Sequence, residues 1–274
     1  MLGIIIATVM ITIIGIVVGT GLVYTAKKFY VEADPREIKV RECLPGNNCG
    51  ACGYAGCDAV AATIVKGDAP VNACPVGGAS VTEKIGEIMG TSADAQERKT
   101  AFVRCAGTCE VTHDQGNYIG IRDCRSAVLS GMNVTECSYG CLGYGSCVSV
   151  CPQNAISVKD GAAVVDPSRC IGCGLCCKAC PRGLIELVPE SRKVRVQCSN
   201  RDKGAQVKAV CSAGCIGCML CTRQCEFDAI TVTDNLAKVN YANCTQCGKC
   251  ADKCPVKAIT PPASKRDNMN GERK

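Results

Sequence analysis

The stretch Cys170-Ile-Gly-Cys173-Gly-Leu-Cys176-Cys177-Lys-Ala-Cys180-Pro181 returns 74 residues later as Cys244-Thr-Gln-Cys247-Gly-Lys-Cys250-Ala-Asp-Lys-Cys254-Pro255. Each run has C-x2-C-x2-C-x3-C-P spacing, with three thiols on one tight loop and a fourth ahead of a proline. Nine cysteines match at this one offset without a gap. Cys124, Cys137, Cys141, Cys147, Cys151, Cys170, Cys173, Cys176 and Cys180 face Cys198, Cys211, Cys215, Cys221, Cys225, Cys244, Cys247, Cys250 and Cys254. Such self-similarity marks a duplication. The intervening sequence agrees, since Ala155-Ile156-Ser157-Val158 matches Ala229-Ile230-Thr231-Val232. A turn at Asp160-Gly161 or Asp234-Asn235 then leads to a second short strand.

Cysteine makes up 27 of the 274 residues. At that density the choice lies between a disulfide scaffold and thiolate-bound metal. An odd count, tight runs and a chain far longer than small stapled domains argue against disulfides. The single His113 argues against mixed Cys/His zinc sites and His-based catalysis. With no Trp, 3 Phe and 7 Tyr, a large aromatic core is not expected. Iron–sulfur clusters are the expectation, in a reducing compartment.

The proline-terminated runs have the bacterial ferredoxin spacing, and Cys215-x2-Cys218-x2-Cys221-x3-Cys225 shares it without the proline. In two-cluster ferredoxins the fourth cysteine of each run serves the other run's cluster. That assigns Cys215, Cys218, Cys221 and Cys254 to one cluster, and Cys225, Cys244, Cys247 and Cys250 to another. Cys151, Cys170, Cys173 and Cys176 make a third. The remaining run of the first copy is irregular, because Tyr144 stands where the second copy has Cys218. The expectation is that Cys137 substitutes, giving Cys137, Cys141, Cys147 and Cys180; a three-cysteine site with a labile or missing iron is the alternative. A sixth cluster is expected on Cys105, Cys109 and Cys124, with Cys198 or Cys211 as fourth ligand. The alternative is that several of these are buried small apolar side chains. Cys177 reads as a spare thiol.

Nearer the N-terminus, Cys49-x2-Cys52-x4-Cys57 sits in a glycine-rich loop within LPGNNCGACGYAGC, and Cys74-Pro75 follows. Glycine lets such a loop wrap closely and aim amides at sulfur. DAVAATIVKGDA between Cys57 and Cys74 reads as a short helix. Cys43 lies outside the spacing, as a buried or spare thiol.

From Leu2 to Tyr24 the chain carries no charge, a run of about 35 Å as a helix and enough to cross a bilayer. It lacks the basic start of a signal peptide. Lys27 and Lys28 follow, so the positive-inside rule puts the rest in the cytoplasm. Gly15 and Gly19 form a GxxxG pair, read either as ordinary glycine tolerance or as a packing surface for another membrane helix.

The uncharged helix, the LPGNNCGACGYAGC element with Cys74-Pro75 and the ferredoxin-type modules together resemble the RnfB family of the Rnf electron transport complexes. The resemblance covers essentially the whole chain. It implies a membrane-anchored subunit that accepts electrons from reduced ferredoxin and relays them to membrane subunits of a Na+- or H+-pumping ferredoxin:NAD+ oxidoreductase. Shorter members have one ferredoxin module; two modules with extra cysteines resemble the versions in strict anaerobes. Two other readings are a membrane-tethered polyferredoxin serving a hydrogenase or other reductase, and a structural zinc-binding interaction protein.

The expected architecture is α+β: a single N-terminal transmembrane helix, a 4Fe-4S domain and two tandem two-cluster ferredoxin-like modules. The boundaries are 1–26 anchor, 27–41 polar stalk broken by Pro35, 42–90 4Fe-4S domain, and 91–136 linker with a possible extra-cluster segment. There follow 137–190 first module, 191–210 connector, 211–260 second module, and 261–274 a disordered tail. The chain is expected in the cell (inner) membrane, single-pass, in contact with lipid. No GxGxxG after a strand and no phosphate loop appear, so no flavin or NAD is expected here. Nor is a nucleophile paired with a base, so no independent active site is expected. The formal charge is +6. Five [4Fe–4S]2+ clusters with four thiolates each add about −10 and leave about −4, so the excess Lys and Arg offsets clusters and no nucleic acid is expected. Arg182, Arg192, Lys193 and Arg195 are read as a candidate patch for steering an acidic ferredoxin, or as a merely solvated face.

Overall fold

The structure is a computed structural model that describes residues 2–28, 34–92, 97–113, 118–131 and 135–261. The disordered-tail expectation therefore falls almost wholly outside the described residues, as do parts of the stalk and linker.

The uncharged run forms one helix, α1 (Leu2–Lys28), apolar around its circumference, with Lys27 and Lys28 in its last turn. Its described large side chains, among them Ile11, Ile16, Val17 and Leu22, are exposed. Counted over the described residues, which omit the side chains at 2, 4, 7, 8 and 26, no helix is long and apolar enough to cross a membrane. The anchor thus rests on the sequence.

The first compact unit begins earlier than expected. Pro35 does not break a stalk; it occupies the first turn of α2 (Pro35–Cys43), where its missing N–H costs nothing. Asp34 caps that helix by accepting from the Arg36 amide at 2.8 Å. α2 packs on α3 (Cys57–Lys66), the helix expected between Cys57 and Cys74, and on α4 (Gly78–Met89). Val40, Val60, Ile64 and Ile85 form its core, each essentially inaccessible. An Arg41–Asp58 ion pair at 2.6 Å ties α2 to α3.

The remaining elements are short. They run β1 (Lys99–Val103), α5 (Cys124–Leu129), α6 (Ser146–Ser149), β2 (Ile156–Lys159), β3 (Ala162–Val165), α7 (Leu175–Ala179) and β4 (Ile185–Pro189). Then come β5 (Arg195–Val196), α8 (Gly204–Val210), α9 (Leu220–Arg223), β6 (Ile230–Thr233), β7 (Leu236–Val239), α10 (Lys249–Asp252) and β8 (Ile259–Thr260). The expected hairpins are present as antiparallel β2–β3 and β6–β7, with Ile156 facing Val165 and Ile230 facing Val239.

Two other pairings cut across the expected boundaries. β1, placed in the linker, pairs antiparallel with β4 of the first module, Val103 opposite Ile185. β5, placed in the connector, pairs with β8 of the second, Val196 opposite Ile259. Each module is thus closed by a strand that precedes it in the chain. Their two cores mix Val, Ile and Ala with cysteines such as Cys147, Cys170 and Cys176, or Cys215, Cys221 and Cys250.

Candidate iron–sulfur sites

All 27 cysteines are free thiols. Among the described residues, no three His, Cys, Asp or Glu side chains close in on a point where they could hold a metal ion. The thiols gather instead in looser sets, as a cubane with one thiolate per corner iron requires.

In the N-terminal unit, the loop bearing Cys49 and Cys52 turns through positive φ at Gly46, Gly50 and Gly53. The Cys57 amide donates to Asn48 Oδ1 at 2.8 Å, closing the loop onto α3. Cys74 faces Cys52 and Cys57; burial pushes its thiol up, while the amides of Gly77 and Val76 donate to its sulfur. Cys49 in turn lies within electrostatic reach of Cys173 in the first module.

Cys151 and Cys254 each reach across to the run they are expected to serve. Cys173 faces Cys176 and Cys151, and the Ala101 amide of β1 donates to Cys170 Sγ at 3.3 Å. The Ala155 amide does the same for Cys151 Sγ at 3.3 Å. In the second module Cys221 faces Cys215, Cys254 and Cys218, and burial raises its pKa to about 11. Cys250 faces Cys244 and Cys247 and is raised by burial to about 12. Gln246 holds this site: its Nε2 donates to Cys244 Sγ at 3.2 Å while its Oε1 accepts from the amides of Lys193 and Val194. Cys218 and Cys247 are exposed.

The irregular run is where the geometry departs from the sequence reading. The cavity beside Cys141, Cys147 and Cys180 is lined by Cys124, not Cys137. Burial raises the Cys147 thiol to about 12, and Cys141, Cys124 and Cys180 add to the shift. Cys124 opens α5, and its amide donates to Ser146 Oγ at 2.8 Å. That hydroxyl donates to Asp123 Oδ1 at 2.6 Å. Tyr144, the residue in place of a cysteine, packs its ring on Tyr118 with centroids 5.4 Å apart, beside Cys124, Ala127 and Leu142.

Cys137 lines a second cavity with Cys105, Cys198 and Cys211, and Cys141 flanks it. Of the five residues set aside for an extra cluster, the structure brings Cys105, Cys198 and Cys211 together there. Cys109 does not join them. It is exposed, and its sulfur lies against the β2–β3 turn, where a Cβ on Gly161 would approach it to 2.7 Å. Cys43 and Cys177 are half-buried at the edges of the first two cores.

The basic patch is not a free surface. Arg195 is buried with its guanidinium 5.1 Å from the Phe102 ring centre. Arg182 donates to the carbonyls of Cys137 and Gly140 at 3.2 and 2.5 Å, and Arg192 to that of Cys244 at 2.8 Å. Arg182 and Arg192 thereby brace thiol-bearing loops.

The donor sets fit cubane clusters in number, chemistry and amide supply. A family model described as a putative Fe-S cluster matches residues 44–76. Two described as 4Fe-4S dicluster domains match 136–184 and 214–259. These domains indicate [4Fe–4S] clusters. The B component of the Na+-translocating ferredoxin:NAD+ oxidoreductase complex of Acetobacterium woodii is 47% identical over 90% of this chain and 75% of its own length. The chain belongs to the RnfB family. Within that family, the B component of the ion-translocating oxidoreductase complex of Methanosarcina acetivorans is 42% identical, over 90% of this chain and 94% of its own. Its equivalent in the proton-translocating ferredoxin:NAD+ oxidoreductase complex of Clostridium ljungdahlii is 44% identical, over 92% and 90%.

Proposed function

We propose that this chain is the iron–sulfur electron-transfer subunit of an ion-translocating ferredoxin:NAD+ oxidoreductase, taking electrons from reduced ferredoxin and delivering them to membrane subunits of the complex. The observation that carries the reading is the gathering of thiols from separate cysteine runs in a chain of this family, with backbone N–H donors on sulfurs such as those of Cys74, Cys151, Cys170 and Cys180. A bound [4Fe–4S] cluster supplies one-electron redox chemistry whose potential follows hydrogen bonding, charge and exposure. The chain's residues set those terms: thiolates hold iron, amides offset sulfur charge, and Arg182 and Arg192 place cations beside the loops.

Five sets belong to this reading: Cys49, Cys52, Cys57 and Cys74; Cys151, Cys170, Cys173 and Cys176; Cys215, Cys218, Cys221 and Cys254; Cys225, Cys244, Cys247 and Cys250; and the set containing Cys141, Cys147 and Cys180. The proposed arrangement is an anchor in residues 1–26, a 4Fe-4S unit ending near 90 and two ferredoxin-like modules. The uncharged run Leu2–Tyr24, followed by Lys27 and Lys28, supports a single membrane span with the thiol-bearing part in the cytoplasm. Exposure of Cys218 and Cys247 beside exposed Met219, Leu220 and Phe227 gives a soluble redox partner a close approach to the second module.

The complex purified with this chain and sealed into vesicles should reduce NAD+ with reduced ferredoxin and take up Na+ or H+. A complex that lacks this chain and keeps that rate would overturn the reading.

A further inference from the structure

We infer that Cys105, Cys137, Cys198 and Cys211 bind a further [4Fe–4S] cluster between the two modules, and that Cys124 is the fourth ligand beside Cys141, Cys147 and Cys180. The inference rests on the reading that the other thiol sets bind clusters.

Strand register reveals the symmetry of this site. Val103 opposes Ile185, and Val196 opposes Ile259; Ile185 and Ile259 are matched by the 74-residue repeat. One residue on, the Arg104 amide donates to Leu184 O, and the Gln197 amide to Ala258 O, both at 2.8 Å. The structural counterpart of Cys198 is therefore Cys105, at an offset of 93, while Cys137 and Cys211 keep the offset of 74. Each copy thus supplies one thiol just after its closing strand and one ahead of its first run.

The hydrogen bonds repeat with the same symmetry. The amides of Cys141 and Gly107 donate to Cys105 Sγ, both at 3.4 Å. The amides of Cys215 and Asn200, their counterparts, donate to Cys198. The two segments meet directly, the Ala106 amide donating to Gln197 O at 3.1 Å.

Buried apolar cysteines would not need this provision. Asn200 is 2% exposed and its side-chain amide donates to Cys137 Sγ at 3.5 Å. Backbone amides of Ala213 and Gly214 donate to Cys211. All four sulfurs therefore face N–H donors, which would offset thiolate charge once iron is bound. Glycine keeps room beside them, since a Cβ on Gly107 would come within 2.8 Å of Thr112 and 3.4 Å of Cys105 Sγ.

Anaerobically isolated full-length protein should carry about 24 irons with matching sulfide, four per site. Cys137→Ala and Cys211→Ala should each remove the same component of the reduced EPR spectrum and up to about four irons. The double variant should lose no more than either alone. Cys124→Ala should remove a different component, and Cys124→Ala with Cys137→Ala up to about eight irons. Cys109→Ala should leave iron unchanged. Serine variants at the same positions, which keep an oxygen ligand, should show the same grouping through shifted g values even where alanine prevents folding. A shared component for Cys124 and Cys137, or wild-type iron and spectra in Cys211→Ala with about 20 irons in the parent, would overturn the inference alone. A parent chain free of iron would overturn the wider reading.

Discussion

The Cys141 amide donates to the Cys105 sulfur at 3.4 Å, so the first thiol loop of one set supplies a hydrogen bond to the next. Arg182 lies against the same junction. Its guanidinium holds the carbonyls of Cys137 and Gly140. Burial lowers its pKa, and the thiolates of Cys137, Cys141, Cys105 and Cys180 oppose that shift. Cation and thiolates are neighbours across both cavities.

Arg182→Met should therefore lower the reduction potential of the adjacent sites, because the added electron loses a nearby positive charge. Coulomb interaction at short range in a partly screened setting is worth about 1 kcal/mol or more, and one-electron couples move about 59 mV per tenfold change. The expected shift is on the order of 50 mV downward. EPR-monitored redox titration would check it, with Arg182→Lys giving a smaller change.

Ser146→Ala should loosen Cys124 without removing a thiol. The hydroxyl links the Cys124 amide to Asp123 Oδ1, and Asp123 also caps α5 through the amides of Arg125 and Ser126 at 3.0 Å each. Losing a cap-linked bond costs about 1 kcal/mol. Iron release to a chelator should gain a faster phase, roughly fivefold to tenfold by that energy, while the other sites keep their rates.

Gly172→Ala should destabilise the first module. Gly172 has φ +69, and a Cβ there would collide with the Lys99 carbonyl at the start of β1. Positive φ and overpacking together cost about 2–4 kcal/mol. Gly53→Ala is the contrast, because φ is +86 but nothing lies within 4 Å of the added atom. Its cost should be about 1 kcal/mol. Thermal melting of the loaded protein separates the two.

Much of this was legible in the cysteine spacing, because covalent distance along a short loop dictates which thiols can share a cluster. The hairpins at 156–165 and 230–239, the helix after Cys57 and the approach of Cys151 and Cys254 to the other run follow from local pattern. What spacing could not supply was the partner of a thiol held by tertiary pairing. Cys124 and Cys198 match at the gapless offset, yet strand register makes Cys105 the counterpart of Cys198. The first copy is longer between its closing strand and Cys137, so a gapless match misassigns the segment. The signal that could have found it is Val-x-Cys, present as Val103-Arg104-Cys105 and Val196-Gln197-Cys198. Tyr144 marked a missing ligand, but only packing brings Cys124 beside it.

Iron binding should strengthen as pH rises, because burial holds several of the unliganded thiols protonated. Burial raises Cys105 to about 11, Cys147 to about 12, Cys221 to about 11 and Cys250 to about 12. Iron takes only the thiolate, so the loaded state binds fewer protons than the empty one at every pH below those values, and each bond formed releases a proton. Acid therefore favours release. Chelation at pH 6 should strip iron faster and further than at pH 8.5, with proton uptake measurable in weak buffer. The secondary structure should fail in step with the iron. Cys147, Cys170 and Cys176 belong to the core of one module, and Cys198, Cys215, Cys221 and Cys250 to that of the other, so emptying the sites leaves both cores hollow. Far-UV circular dichroism recorded against iron content would show the coupling, and an iron-free chain that kept its full signal would contradict it.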